Sequence, residues 1–233
     1  MLEKLRHHGQ MSDALRTMVF LTLSGGFQDG YTYMGRGQVF ANAQTGNVIL
    51  FGVHLCSGEL FAALRYLMPV VAFGAGVYFS AFVRHRFGSS RRLHWRQLVL
   101  GIEIALLFLV GFVPHSLDIA ANVLVSFVCA MQVQAFRKVR GNAYASTMCI
   151  GNLRSGVQCL FDWRHNHNPA TLHKALQYLT IITVFGVGAV FGSLLSRTGN
   201  IRVIWCSCAL LAVSFLLMFI KEEEETREEA EKA

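Results

Sequence analysis

Charge is what this 233-residue sequence lacks most. Lys, Arg, Asp and Glu make up 15% of it, where a soluble domain carries about 25%. Acidic residues are scarcer still outside the end of the chain. Seven of the 14 crowd into the tail "KEEEETREEAEKA" (221–233), leaving seven against 18 basic residues in 1–220, a net charge of +11 there. Such basicity can signal nucleic-acid binding, but no soluble basic domain is present to carry it, and no nucleic-acid partner is expected. The excess is ascribed to cytoplasmic loops, where Lys and Arg set membrane orientation. Also missing are CxxC, HExxH, GxSxG and a Gly-rich phosphate loop. The six cysteines (Cys56, Cys129, Cys149, Cys159, Cys206, Cys208) lie mostly in or beside apolar runs, as small packing residues rather than disulfides or metal ligands. His165, His167 and His173 sit in a polar stretch whose spacing is weak for a metal, and an ordinary cytoplasmic loop is expected. Without a nucleophile–base pair or a metal set, neither a cofactor nor an enzymatic activity is expected.

What the chain does have is apolar length. Hydrophobic residues make up 53%, and the mean hydropathy is +0.42. Residues 60–83 contain one charge, Arg65, and 97–113 contain one, Glu103; 119–136, 175–196 and 203–220 contain none. Each approaches the ~17–25 residues that span a bilayer as a helix. The start of the chain resembles a signal peptide, with Lys4, Arg6 and Arg16 before an apolar stretch. No small-x-small cleavage site follows convincingly, so this stretch reads as the first span. The chain is a polytopic membrane protein with a single transmembrane domain over 1–220 and an acidic tail over 221–233.

The domain repeats itself. "AFGAGVYFS" (72–80) matches "VFGVGAVFG" (184–192) at a spacing of 112, and "TGN" (45–47) matches "IGN" (150–152) at a spacing of 105. More faintly, "GGFQDGY" (25–31) lies opposite "AMQVQAF" (130–136). The order of elements agrees, giving repeats of roughly 14–114 and 117–220. Loops give the direction. "RHRFGSSRRLHWR" (84–96) holds five Arg and no acid and should be cytoplasmic, as should "RKVR" (137–140), the 163–174 loop and the N-terminus. "PHSLD" (114–118) should lie outside, although "RTGNIR" (197–202) puts two Arg on that same face. An even number of crossings must then precede 84–96, so one of three candidate segments does not cross. The 13 residues 45–57 reach only ~20 Å as a helix, about two-thirds of a ~30 Å hydrocarbon core. The segment around 147–161 faces the same argument. The expected fold is all-α: a transmembrane helical bundle of two inverted repeats, each of three spans plus one re-entrant half-helix, with both termini cytoplasmic.

Irregular backbone at membrane depth survives only where protein buries it or a wet cavity receives it. Segments 34–44 and 137–146 would be such backbone. Thr45 and Thr147, or Ser146, are candidate N-caps, while Gly46 and Gly151 allow close approach. The two half-helix N-termini would meet near the midplane and suit an anionic or polar solute. The amides of Asn47 and Asn152 would point into the shared cavity. The candidate substrate-binding set is Asp29, Gln44, Thr45, Gly46, Asn47, Gln134, Thr147, Gly151 and Asn152. A capped short helix that only packs the fold is the plain alternative for "QTGN". Two readings stay open for Asp29: a proton- or cation-coupling site inside a span, or a hydrated interfacial residue paired with Arg36. Glu103 is expected near the cytoplasmic interface beside Arg96. Arg154 could hold an anion or snorkel. Gly74, Gly76, Ser80, Gly186, Gly188 and Gly192 read as helix–helix contact surfaces between the repeats, and Pro69 should kink its span.

"GGFQDGYTY…GQVFANAQTGNVILFG" resembles the signature of the YoaK-like bacterial membrane proteins, a family with a domain of unknown function. The matching residues are Gly26, Phe27, Asp29, Phe40, Thr45, Gly46 and Asn47. Gly30 stands where that pattern has alanine, and Gln132-Val133-Gln134 where it has Gly-x-Gln-Asn. The resemblance implies a multi-pass protein of the bacterial inner membrane and names no substrate. From the residues, the expected function is a small-solute transporter or channel with its site at the repeat interface. The alternative is a non-transporting membrane scaffold or assembly protein. Expected partners are the lipid bilayer and a small solute or ion, with homo-oligomerisation left open.

Overall fold

Where water is excluded, a chain can satisfy its backbone only internally, so the apolar runs wind into helices. The computed structural model describes residues 2–88, 95–136, 138–139, 142–143, 147 and 149–230, with side chains described for 17–88, 95–136, 147 and 149–218. Its helices are α1 (Leu2–Gly35), α2 (Gln44–Cys56), α3 (Leu60–Phe87), α4 (Trp95–Val110), α5 (Asp118–Ala135), α6 (Cys149–Asn166), α7 (Pro169–Ser196) and α8 (Trp205–Ala230). Between α5 and α6 a two-stranded antiparallel ribbon pairs β1 (Lys138–Val139) with β2 (Asn142–Ala143). Short 3-10 turns at His115–Leu117 and Ile201–Ile204 lead into α5 and α8. Among the described residues, four stretches are long and apolar enough to cross a membrane: Leu60–Phe87, His115–Ala135, Pro169–Ser196 and Ile201–Met218. Helix α2 has 13 residues, as short as expected.

The second half departs from the sequence reading at one loop. Residues 163–174 were expected as a polar loop, but α6 runs on to Asn166 and α7 begins at Pro169. Asn168 caps α7 by accepting from the Ala170 N–H at 3.0 Å, and proline sits well at the first helical position, where no N–H partner is needed. At the start of the chain's second helix the expected cap is absent. The N-cap of α2 is Ala43, with no side-chain cap bond, and Thr45 is exposed within the first turn.

The bundle is organised by two backbone-to-backbone crossings. Helix α1 lies along α7, and α5 lies along α3. A Cβ on Gly188 would meet the Leu23 carbonyl, one on Gly192 the Phe27 carbonyl, and one on Gly26 the Phe185 carbonyl. On the other crossing, a Cβ on Gly76 would meet the Phe127 carbonyl, and Ser80 donates to the Met131 carbonyl at 3.2 Å. Small residues let the backbones come this close, and in lipid that packing drives association. Gly74 and Gly186, expected on the same surfaces, have open space around them. The two crossings correspond: Gly188 meets Leu23 as Gly76 meets Phe127, and Gly192 meets Phe27 as Ser80 meets Met131. This sets residue 23 opposite 127, one residue away from the faint alignment of 25–31 on 130–136, and makes Gln28 the counterpart of Gln132.

Arg36, 0% exposed, ties one end of the bundle together. Its guanidinium donates to Tyr31 Oη at 2.8 Å, Asp118 Oδ1 at 2.7 Å and the Val110 carbonyl at 3.3 Å. Its own carbonyl accepts from Asn122 Nδ2 at 2.7 Å, and Tyr31 Oη donates to the Ile201 carbonyl at 3.0 Å. One side chain thus joins the ends of α1 and α4 to the start of α5. Asp29, expected in one reading to pair with Arg36, lies elsewhere, because Asp118 occupies that position.

Two stability predictions follow from this packing. Gly188→Ala should lose about 1–3 kcal/mol, since the neighbour is a carbonyl in a rigid helix. Gly186→Ala should be neutral or gain up to ~1 kcal/mol from helix propensity. Thermal unfolding of the purified variants in detergent reads both, and equal effects would contradict the crossing. In the same assay, Arg36→Ala should cost about 1–3 kcal/mol, since it removes the donor to the Val110 carbonyl and to Tyr31, while the Asp118 left behind is part-exposed and keeps His115 at 3.3 Å.

Candidate functional site

The polar run of α1 passes through the interior. Ser24, Gln28 and Thr32 are fully buried, and Asp29 is 7% exposed. The helix survives this polarity because its side chains find partners close by. Thr32 Oγ1 donates back to the Gln28 carbonyl at 3.0 Å, a bond that hydroxyl residues make readily inside helices. Gln28 and Asp29 are neighbours in sequence but face different clusters.

Asp29 faces the loop that precedes α2. The Asn42 N–H donates to Asp29 Oδ1 at 2.7 Å, and Asn42 Nδ2 donates to the Gly25 carbonyl at 3.1 Å. Thr147, just ahead of α6, is buried with its methyl against the Gly25 backbone. The Asn42 Oδ1 and Thr147 Oγ1 atoms are buried without a hydrogen-bond partner among the described residues. Cys149, at the start of α6, lies within electrostatic reach of Asp29. Both chain segments that lead into α2 and α6 therefore meet α1 between Gly25 and Asp29. Among the described residues, Asp29 has no salt-bridge partner.

The 36–43 loop holds its shape through Asn47. This side chain is fully buried. Its Nδ2 donates to the Phe40 carbonyl at 2.7 Å and to Gln44 Oε1 at 2.9 Å, and its Oδ1 accepts from the Phe40 N–H at 3.1 Å. Gln44 Nε2 in turn donates to the Ala41 carbonyl at 2.7 Å. Gly46 leaves room for the Phe40 ring, whose Cδ2 would lie 2.8 Å from an added Cβ, and that ring stacks on Tyr33 at 4.7 Å. The turn itself uses a positive φ at both Gly37 (83°) and Gln38 (62°). The expectation that the Asn47 amide points into a cavity is thus corrected: it clamps the loop that presents Asn42 to Asp29.

The remaining expected residues separate. Asn152 is buried on α6, while Gly151 is exposed with open space around it, and Gln134 is half-buried on α5. Thr45 is exposed, Thr147 Oγ1 makes no cap bond, and Ser146, the other candidate cap, lies outside the described residues. Arg154 borders an open cavity of about 540 Å³ on the outer side of α6, with Leu153, Val157 and Phe161. Two residues escaped the sequence reading. Asn42 was one more polar residue in a polar stretch. Glu103, expected at the interface beside Arg96, is 0% exposed in the centre of the bundle. It shares a helix face with Val99 and Leu107, four residues to either side and equally buried. That spacing was readable, but α4 is apolar on every side, so its buried face was not.

The Asn47 clamp carries a stability prediction. Asn47→Ala should cost about 1–3 kcal/mol, because it leaves the Phe40 N–H and carbonyl unpaired. Thr45→Ala should stay within about 0.5 kcal/mol, as at other surface positions. Denaturant or thermal unfolding in detergent compares them, and an Asn47→Ala protein of wild-type stability would remove the clamp.

Long apolar helices around buried polar clusters define a multi-pass membrane protein in contact with the lipid bilayer. Within that class, the chain belongs to the family described as Protein of unknown function (DUF1275), which matches residues 17–217. It is 24% identical over 204 residues to the UPF0700 transmembrane protein YoaK of Bacillus subtilis (strain 168), a match covering 82% of this chain and 88% of that protein. No solved structure matches the chain.

Proposed function

We propose that the protein is a small-solute transporter or channel of the bacterial inner membrane, without enzymatic activity and with both termini in the cytoplasm. In this reading the chain is two inverted repeats, each of three spans and one half-helix, α2 in the first and α6 in the second. The matched crossings support it. So does a stretch at the same spacing of 104: "RGQVFA" (36–41) parallels "RGNAYA" (140–145), with Arg, Gly, an amide and an aromatic in register. The Arg-rich 84–96 stretch supports the orientation.

One observation carries the functional reading. Two segments from different halves meet α1, Asn42 at Asp29 and Thr147 one turn away at Gly25, and a buried polar atom of each, Asn42 Oδ1 and Thr147 Oγ1, has no partner among the described residues. Buried polar groups are ordinarily satisfied, and an ionisable residue inside a membrane bundle is costly unless it serves a function. Asp29, Asn42 and Thr147 would contact the solute or ion. Gln44, Gly46 and Asn47 would shape the loop. Arrangements in which broken helices meet at one site typify carriers that alternate access between the membrane faces. The alternative, a non-transporting scaffold, draws support from the fully engaged Asn47 amide.

Protein reconstituted in liposomes, tested for flux of a panel of small ions and polar metabolites, decides between them. Wild type should conduct at least one of these solutes above protein-free liposomes. Asp29→Asn should reduce that flux at least about tenfold, the effect of ~1.4 kcal/mol of lost interaction, while keeping its gel-filtration profile. Flux at the protein-free level across the whole panel would leave the scaffold reading.

A further inference from the structure

Adjoining the Asp29 cluster along α1 lies a second polar cluster. Gln28 Nε2 donates to Ser24 Oγ at 3.1 Å and to Ser207 Oγ of α8 at 3.0 Å, and the two hydroxyls are 2.6 Å apart. Cys129 of α5 donates its thiol to Gln28 Oε1 at 2.7 Å. Every one of these groups is buried. Glu103 of α4 borders the cluster beside Gln28. Its two carboxyl oxygens are buried and neither is in hydrogen-bond geometry with the Gln28 amide beside them, and Glu103 forms no salt bridge among the described residues.

We propose that Glu103 is a proton-carrying site at the junction of α1, α4, α5 and α8, taking up and releasing a proton while Gln28, Ser24 and Ser207 reorient to accommodate its two forms. An uncompensated charge is among the most expensive groups to bury, and a carboxyl without a cation can change its charge here only by proton exchange. The donors around it are movable: an amide and two hydroxyls, already hydrogen-bonded to one another, can turn toward a carboxylate and back. A metal ion fits less well, because no three His, Cys, Asp or Glu side chains gather anywhere among the described residues. The groups facing Glu103 are few. Helix α5 presents the Cys129 thiol and α8 the Cys208 thiol, both within its electrostatic reach. Helix α1 presents the uncharged Gln28, and its Asp29 reaches the same neighbourhood through Cys129, which lies within electrostatic range of both acids. The buried tyrosine of α3, Tyr66, stacks on His54 instead, and Arg202, in the turn before α8, is exposed over Trp205.

The inference deepens the transport reading by naming a proton as the coupled ion, yet its test needs no transport. Dicyclohexylcarbodiimide enters apolar sites and reacts with protonated carboxyls, transferring the acid proton to a carbodiimide nitrogen as the carboxyl oxygen bonds to its central carbon. Purified protein in lipid should gain an adduct that maps to Glu103 by mass spectrometry. The adduct should diminish as pH is raised, disappear in Glu103→Gln and persist in Asp29→Asn. Infrared spectra of the same samples report directly where the reagent cannot reach. A protonated-carboxyl C=O band should be present in wild type, fade with rising pH and be missing from Glu103→Gln, with that variant's melting profile confirming its fold. An infrared spectrum unchanged by Glu103→Gln, or a Glu103 band that ignores pH, overturns the proposal. A titrating Glu103 in a protein without flux would keep the site and remove the transport reading. Flux without a titrating Glu103 would do the reverse.

Discussion

The close crossing of α1 over α7 is the contact on which the rest of this structure depends. Lipid tails are as apolar as leucine, so helices in a bilayer gain little by burying apolar surface against one another. What holds them is dense packing, and Gly26, Gly188 and Gly192 bring the two backbones within reach of each other's carbonyls. This contact places the polar run of α1 inside the bundle. Were α1 at the periphery, Ser24, Gln28, Asp29 and Thr32 would face lipid at a cost of several kcal/mol for each unsatisfied group.

With α1 at the centre, its two polar faces find different partners. One face receives backbone: Asn42 reaches Asp29 from the loop before α2, and Thr147 covers Gly25 from ahead of α6. The other receives side chains from α5 and α8, Cys129 and Ser207. Arg36 then closes the helix end by joining Tyr31, Val110 and Asp118. Helix α1 is thus a spine with a loop-facing site, a helix-facing site and a terminal ion pair.

The two halves match in packing but not in chemistry. At the spacing set by the crossings, Gln28 corresponds to Gln132, and both are buried. Asp29 corresponds to Val133 and Thr147 to Ala43. The matched features are those that seat helices against each other. The unmatched ones supply the carboxylate and hydroxyl of a single cluster.

Much of this was legible in the sequence, because membrane segments announce themselves by composition. Low charge and long apolar runs identified the class, the 13-residue length of α2 was readable from its flanks, and Gly188 with Gly192 marked a contact surface. Asp29 stood out because an acid in an apolar run is rare. Glu103 stood out equally but was assigned to the interface, since an all-round apolar helix does not reveal which of its faces is inside. Asn47 was read as a ligand because its chemistry permits either role; only the fold of residues 36–43 onto α2 shows its amide spent on Phe40. Composition by itself determined that the chain crosses a membrane as helices, since unpaired backbone in lipid is costly. Which polar groups meet was decided by tertiary structure alone, because partners such as Gln28, Cys129 and Ser207 lie far apart along the chain and are brought together only by how the helices rotate and cross.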